Sequence, residues 1–510
     1  MIAIADLRRP DCYPHAPAQV EVVQTHISVV CLAGDRVYKL KKPVRLPFLD
    51  FSTPERRRHF CAEELRLNRR LCPEIYLDVV PLCRGREGLN FRGEGATIDH
   101  AVLMKRLPAE RMLDRLLAQG AAQPADVERL AVFIATFHAR AERGPAVQRA
   151  GAPAGLVARL RANLADTKPM AGDVFAPALH RALAAATERD IARLQPLLER
   201  RATENRIVDG HGDLHARNVC LTDPPAPYDC IEFSAAFRCG DVATETAFLT
   251  MDLRYRGHPA LARTYVDAYV GASGDTELPT LLPPLERYRA LVRAKVGAVA
   301  AGEAELEPAD REAARSSAQR HARLAAALAA EERGRLWVAA CGPPASGKSA
   351  LLEALAAIAG WPVMSSDRVR KELLGIPAAT RAPASAYAPA VSQRVYDELL
   401  RRAAASDGVV LLDANWPTRS RRAALLRAAT EAGATAIVVH LDVTPAIAHR
   451  RLAARAADPR SVSDADAAVY EQLAPAFEPP ASGEPSELIR LDGNLPVHVA
   501  LDALLVHLLG

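Results

Sequence analysis

Hydrophobic positions along the chain follow two different rhythms, and the change between them falls near residue 336. In residues 20–42 apolar residues come in short runs: VEVV, then SVVCLA, then Gly34-Asp35, then RVYKLKK. Short β-branched runs bounded by turn residues predict strands joined by tight turns. Residues 55–72 change to a helical stripe through Phe60, Leu65, Leu67 and Leu71. YLDVVPLC and HAVLMKRL read as strands again, and residues 109–205 as helices rich in Ala, Leu and Arg. VCLT, the turn DPPAP and YDCIEF predict a short hairpin. Helices resume over 241–333, and the Ala-rich, charged stretch 303–333 reads as a helix closing the first module. From 336 onward strands and helices alternate. The strands are LWVAAC (336–341), WPVMSSD (361–367), VVLLDAN (409–415), AIVVHLD (436–442) and ELIRLD (487–492). Continuous apolar strands between helices predict a parallel sheet covered on both faces.

A chain of 510 residues is too long for one core. The change of rhythm divides it into a first domain over 1–325, a helical linker over 326–335 and a second domain over 336–510. The net charge of +4, from 65 basic and 61 acidic residues, is too balanced to predict nucleic-acid binding from charge alone, which leaves a nucleic-acid partner only weakly supported. The nine cysteines form no C-x-x-C pair, so neither a zinc site nor a disulfide framework is expected. A reducing, cytoplasmic setting follows. The first residues lack the basic-then-apolar order of a signal peptide. No apolar run approaches the ~18 residues of a membrane span. Only eight of the basic residues are lysines: 39, 41, 42, 105, 168, 295, 348 and 371. Where lysine is so scarce, those that remain point to a compact charge on phosphate.

GPPASGKS comprises Gly342, Pro343, Pro344, Ala345, Ser346, Gly347, Lys348 and Ser349. It follows an apolar strand, precedes a helix and fits G-x-x-x-x-G-K-[ST]. Its backbone N–H groups and the helix N-terminus make a nest for phosphate. Lys348 would reach the β- and γ-phosphates, and Ser349 would hold Mg²⁺. Asp413 ends an apolar strand, the usual place of the second acidic support for that ion. Asp367 lies at the carboxyl end of the second strand, the edge that faces the ligand crevice of an open α/β sheet. About 175 residues fit one compact kinase domain, with no room for the helical second domain of an AAA-type motor.

With VMSSDRVRKEL the second module resembles P-loop kinases of the polynucleotide kinase and zeta-toxin type. The resemblance makes Asp367 the general base for an acceptor hydroxyl and Arg370 a ligand of acceptor phosphate. HRRLAARAADPRSVSDAD resembles the lid of such kinases, with Arg450, Arg451 and Arg455 on helical spacing and Arg451 and Arg455 clamping the transferring group.

In HGDLHARN, residues 211–218, Asp213 and Asn218 are spaced as in H-R-D-x-x-x-x-N. That chemistry needs a carboxylate beside the acceptor hydroxyl and an amide oxygen for Mg²⁺. The variant with His at the fifth place resembles aminoglycoside phosphotransferases and the related choline and fructosamine kinases. The resemblance implies an ATP lysine on VYKLKK, with Lys41 matching the pattern and Lys39 on the same strand face as the fallback. It implies Glu64 as the helix partner of that lysine, and Met104 to Arg106 as the hinge near adenine. It places Glu232 where the family has its second metal carboxylate, usually Asp. The phosphate loop QTHIS has no glycine, so Thr25 or Ser28 would donate.

Both halves in this order resemble a bacterial family described as a bifunctional aminoglycoside-phosphotransferase-like and P-loop ATP-binding protein. The stretches that carry it include YKLKKPV, FLDFST, ELRLNRRL, HGDLHARN, CIEFS, MDL, GPPASGKS and SSDRVRKEL. The resemblance implies an α+β protein-kinase-like domain followed by an α/β P-loop kinase domain with a parallel sheet. It implies two ATP- and Mg²⁺-dependent phosphotransferases acting on a hydroxyl of a small molecule or nucleotide, with Asp213 and Asp367 as bases. Two alternatives stay open: a non-catalytic N-terminal module that regulates the P-loop kinase, and a nucleic-acid 5′-hydroxyl kinase. No membrane partner is implied.

Overall fold

The first strands arise where β-branched and aromatic residues alternate. They are β1 (Val20–Gln24), β2 (Ser28–Ala33) and β3 (Arg36–Lys41). Gly34, at φ 63°, supplies the left-handed turn between β2 and β3. Helix α1 (Pro54–Asn68) starts where the Thr53 side chain accepts from the Arg56 N–H and Pro54 presets the first turn. With β4 (Tyr76–Gly85), β5 (Gly88–Asn90) and β6 (Ala96–Lys105) the strands form a six-stranded antiparallel sheet, order β1-β2-β3-β6-β4-β5. One face packs Tyr13, Cys31, Tyr38, Leu40, Leu82 and Phe91 into a core. The other holds α1, whose buried Arg57 donates from Nε to both Asp99 oxygens (3.0 and 2.8 Å) on β6. The computed structural model describes residues 3–46, 49–378, 380–456, 467–481, 483–484 and 487–510.

The following helices include α2 (Pro124–Arg140), opened by a Gln123–Asp126 capping box. β7 (Ile207–Asp209) leads into residues 211–218, and β8 (Val219–Cys220) pairs antiparallel with β9 (Ala226–Pro227). The expected hairpin is present, but its second strand ends at Pro227 and YDCIEF is irregular. The cause is local. Asp229 takes a left-handed φ of 64°, and its amide and the next bond to side chains instead of a strand: Asp229 N–H to the Tyr76 hydroxyl (3.0 Å), Cys230 N–H to Asn68 Oδ1 (2.9 Å). β10 (Cys239–Asp241) returns to pair with β7, and its last residue caps α3 (Val242–Tyr255), an almost wholly buried helix.

Further on, α4 (Pro308–Glu331) precedes β11 (Leu336–Cys341), α5 (Lys348–Ala359), β12 (Val363–Ser365), α6 (Ser366–Leu373) and α7 (Pro389–Ala404). Then come β13 (Val409–Asp413), α8 (Arg419–Glu431), β14 (Thr435–Asp442), α9 (Pro445–Ala456), β15 (Glu487–Asp492) and α10 (Val497–Leu509). The five strands are parallel, in the order β12-β13-β11-β14-β15. Central β11 is buried throughout, as a strand covered on both faces must be.

The chain divides into two compact units that do not follow chain order. One comprises Met1–Arg161 and Ile191–Glu286, the other Ala162–Asp190 and Arg287–Gly510. This division differs from the boundary expected at 325 with a linker over 326–335. α4 buries Ala322, Leu324, Ala325 and Leu328 and packs on α5 and α10, with Arg323 on Asp502 (2.7 Å). Residues 326–331 of the expected linker therefore belong to a helix packed within the second unit. Among the described residues no helix is long and apolar enough to cross a membrane.

Candidate active sites

The turn from β11 into α5 forms the first site. Gly342 sits at φ 150°, where an added Cβ would lie 2.8 Å from the Leu441 carbonyl and 2.8 Å from Ser346 Oγ. Gly347 sits at φ 103°, and Ala345 also takes a left-handed φ of 63°. Lys348 folds back over the loop, donating from Nζ to the carbonyls of Gly342 (3.0 Å) and Pro343 (2.8 Å). Ser349 donates from Oγ to Asp413 Oδ2 at 2.8 Å. The parallel register that sets Ala340 beside Asp413 brings these two together. The loop is held from behind by the strand exit after Asp413: Gly342 N–H donates to the Asn415 carbonyl (3.2 Å). There Trp416, fully buried, takes a left-handed φ of 47° while its carbonyl accepts from Arg422 Nη1 (2.8 Å).

Asp367 lies in the first turn of α6, just past β12. Arg370 is buried. Its Nη1 donates to the Ala386 carbonyl (2.8 Å), and its guanidinium lies 4.4 Å from the Tyr387 ring centroid. Arg451 donates from Nη1 to the Ala345 carbonyl (3.2 Å) and from Nη2 to the Gly493 carbonyl (2.7 Å), so it touches the phosphate loop itself. Arg450 is exposed on α9. Arg455 lies on the same helix with its side chain outside the described ones, and SDAD (463–466) is also outside the described residues.

The second site gathers side chains from distant segments. Lys39 and Lys41 project from one face of β3 onto the two oxygens of Glu64: Lys39 Nζ to Oε1 at 2.8 Å, Lys41 Nζ to Oε2 at 2.7 Å. Each lysine has a second carboxylate, Asp229 for Lys39 and Glu232 for Lys41. Burial works against the charge of Glu64, yet the two lysines hold its carboxyl at about 2. Burial pushes the Glu232 carboxyl up, opposed by Lys41. Asn68 and Arg70 at the end of α1 tie this cluster to the next segment: Asn68 Nδ2 donates to the Glu64 carbonyl (2.8 Å), and Arg70 to the Asp209 (2.9 Å) and Gly210 (2.8 Å) carbonyls.

In residues 211–218, Asn218 Nδ2 donates to Asp213 Oδ2 (3.1 Å), and His215 Nε2 lies 3.3 Å from the same oxygen. α3 supports this loop from beneath. Glu245 Oε2 accepts from the backbone N–H of His211 (2.5 Å) and Gly212 (3.0 Å). About two helical turns on, Asp252 Oδ2 accepts from Ala216 N–H (2.9 Å). Glu245 Oε1 meets His138 Nε2 (2.8 Å), whose Nδ1 meets the Tyr269 hydroxyl (2.7 Å). Burial would raise the Glu245 carboxyl, but the His138 ring and the loop amides hold it at about 2. Met104 is buried on β6, and Arg106 follows the strand with its N–H on the Asp35 carbonyl (2.8 Å). In QTHIS, Thr25 Oγ1 accepts from the Ser28 N–H (3.0 Å) and closes the β1–β2 turn on itself.

A family model described as Phosphotransferase enzyme family matches residues 33–278, and one described as AAA domain matches residues 337–480. Uncharacterized proteins of Mycobacterium tuberculosis and Mycobacterium bovis are 32% identical over 463 residues, covering 89% of this chain and 89% of theirs. The chain belongs to their family. In this chain a phosphotransferase module precedes a P-loop kinase module, and both belong to phosphotransferase or kinase families. The AAA domain match runs from β11 past α9 and ends before β15 and α10. Among solved structures, the GDP complex of aminoglycoside 2′-phosphotransferase-IIIa aligns at 13% identity over 59% of this chain and 92% of its own, TM-score 0.38. A gluconokinase from Sinorhizobium meliloti aligns at 21% identity over 34% of this chain and 91% of its own, TM-score 0.26.

Reading the sequence alone passed over Asp229, Asn68, Tyr76, Glu245, Asp252 and His138. For Asp229 the signal was present, a second acid three residues before Glu232 in YDCIEF. Glu245 and Asp252 lie in TETAFLTMDL as polar residues on an otherwise apolar helix, the pattern of a buried side chain with a fixed partner.

Proposed function

We propose that the chain is a two-module ATP- and Mg²⁺-dependent phosphotransferase, each module moving the γ-phosphoryl group to a hydroxyl of a small molecule or nucleotide. The observation that carries this reading is Ser349 hydrogen-bonded to Asp413 beside Lys348 in a glycine-strained loop. Mg²⁺ is ordinarily held by one or two carboxylates together with substrate phosphates. The hydroxyl–carboxylate pair fits such an ion, and so does Asn218 with a carboxylate of the 229–232 segment. When bound, the ion would neutralise charge on the phosphate oxygens.

The chain's own groups do the rest. Lys348 leaves the Gly342 and Pro343 carbonyls for the phosphates, and loop amides cradle them. Asp367 takes the proton of the acceptor hydroxyl as its oxygen bonds to the γ-phosphorus and the bond to the β,γ-bridging oxygen breaks, releasing ADP. Asp213 does the same in the first module, held by Asn218 and the amides that Glu245 anchors. Arg451 steadies the phosphate loop through Ala345, and Arg370 shapes the wall formed by Ala386 and Tyr387.

The test is transfer of label from γ-labelled ATP to sugars, aminoglycosides, nucleosides and 5′-hydroxyl oligonucleotides by the full chain. The Lys348→Ala and Asp213→Asn variants serve as comparisons. Two acceptors, each lost with one variant, support the reading. A single transfer abolished by Lys348→Ala and untouched by Asp213→Asn makes the first module a regulator.

A further inference from the structure

We infer that the outward-facing pair Lys39–Asp229, and not the buried pair Lys41–Glu232, handles the nucleotide phosphates and their Mg²⁺ in the N-terminal module. This rests on the phosphotransferase reading of that module. Spacing along β3 leaves the two lysines equivalent, since residues two apart share a strand face and both reach Glu64. What lies beyond Glu64 separates them. The Lys41 side chain is 1% exposed and that of Glu232 6%. Lys41 also lies over the Phe51 ring, 4.9 Å from its centroid. The Lys39 side chain is 14% exposed and that of Asp229 41%.

A ligand recruits most readily a group it can reach and that can leave its present partner cheaply. Drawing Glu232 to a metal would leave Lys41, buried over Phe51, with Glu64 as its remaining carboxylate and little access to water in place of the one lost, a costly arrangement. Drawing Asp229 away leaves Lys39 paired with Glu64 and open toward the phosphates. Backbone placement agrees. The residue before Asp229, Tyr228, donates its N–H to the Asn218 carbonyl (2.9 Å), which sets Asp229 beside the end of the catalytic loop. Tyr76 fixes the Asp229 amide from the other side (3.0 Å). Lys41, Glu232 and half of Glu64 then form an internal brace that keeps α1 against β3 and fixes Glu64 for Lys39.

The experiment uses the full chain carrying Lys348→Ala, so that the P-loop is silent, and measures ATP binding by calorimetry with and without Mg²⁺. Thermal midpoints are read without nucleotide. Asp229→Asn is expected to cut the Mg²⁺-dependent gain in ATP affinity by at least about tenfold, the least that loss of a direct ligand should cost, with the midpoint close to the parent. Lys39→Met is expected to weaken ATP binding with or without Mg²⁺. Glu232→Gln is expected to keep the Mg²⁺-dependent gain and lower the midpoint. Should Glu232→Gln fail to fold, Asp229→Glu decides, expected to keep part of the gain that Asp229→Asn loses. Mg²⁺-dependent binding unchanged in Asp229→Asn overturns the inference and leaves the phosphotransferase reading standing. No ATP bound by the Lys348→Ala parent overturns both.

Discussion

The two candidate phosphate sites are built from different materials. In the P-loop the working parts are contiguous: backbone amides, one lysine and one serine within residues 342–349, with Asp413 added by strand register. In the first module the parts come from β3, α1, residues 211–218 and the segment after β9, joined by side-chain hydrogen bonds. The first kind of site tolerates loss of a support more readily than loss of its lysine. The second also depends on buried supports such as Glu245 and Asp252, which hold the loop amides.

That contrast orders the expected effects. Lys348→Ala should lower transfer by the second module by about 10²- to 10³-fold, the scale for removing a preorganised charge donor. Label transfer by a chain carrying Asp213→Asn measures it. An unchanged rate would remove the P-loop as the phosphoryl site. Asp367→Asn should lose about 10²-fold in transfer with ATP affinity kept. An equal fall in affinity would make Asp367 a support, and the two sites would then be more alike than proposed here.

Glu245→Gln should weaken the first module from beneath. The amide keeps one oxygen for the His211 and Gly212 N–H groups but loses the charge, at a cost of about 2 kcal/mol in stability. kcat of the first module should fall with KM nearly kept, because the loop carrying Asp213 loses its anchor while the lysine–Glu64 cluster stays. A rise in KM with kcat kept would place Glu245 outside the catalytic loop's support.

The smallest effect is on pH dependence. Glu64 and Glu245 are held at about 2, below the ordinary 4.5, although burial alone would raise both. A depressed carboxyl contributes stability above its unfolded value and loses it as pH falls. Thermal midpoints of the full chain should therefore drop between about pH 4.5 and 2. Glu245→Gln should flatten part of that slope. A wild-type slope kept by that variant would assign the acid sensitivity elsewhere.

Much of the fold was legible because periodicity reports burial: the strand clusters and the parallel sheet follow from which residues face a core. The stripe read in α1 was not its inner face: of Phe60, Leu65, Leu67 and Leu71 only Leu67 is buried within the helix, beside Arg57, Cys61, Glu64 and Asn68. The P-loop was legible because its parts lie within eight consecutive residues. The side-chain network was less so. Spacing names Lys39 and Lys41 equally, and only the fold decides which pair reaches solvent. YDCIEF has strand composition, yet Asn68 and Tyr76, far away in sequence, take its amides and turn it into a loop. Residues 326–331, the end of α4, read as a linker for the same reason. An Ala-rich charged helix resembles a spacer until its buried face finds α10.

The central claim, two nucleotide sites of independent construction in one chain, is tested most directly by counting Mg·ATP bound per full-length chain by calorimetry. Two per wild-type chain are expected, falling to one in Lys348→Ala, with that remaining site lost when Lys39→Met is added. One per wild-type chain, lost entirely in Lys348→Ala, would contradict it.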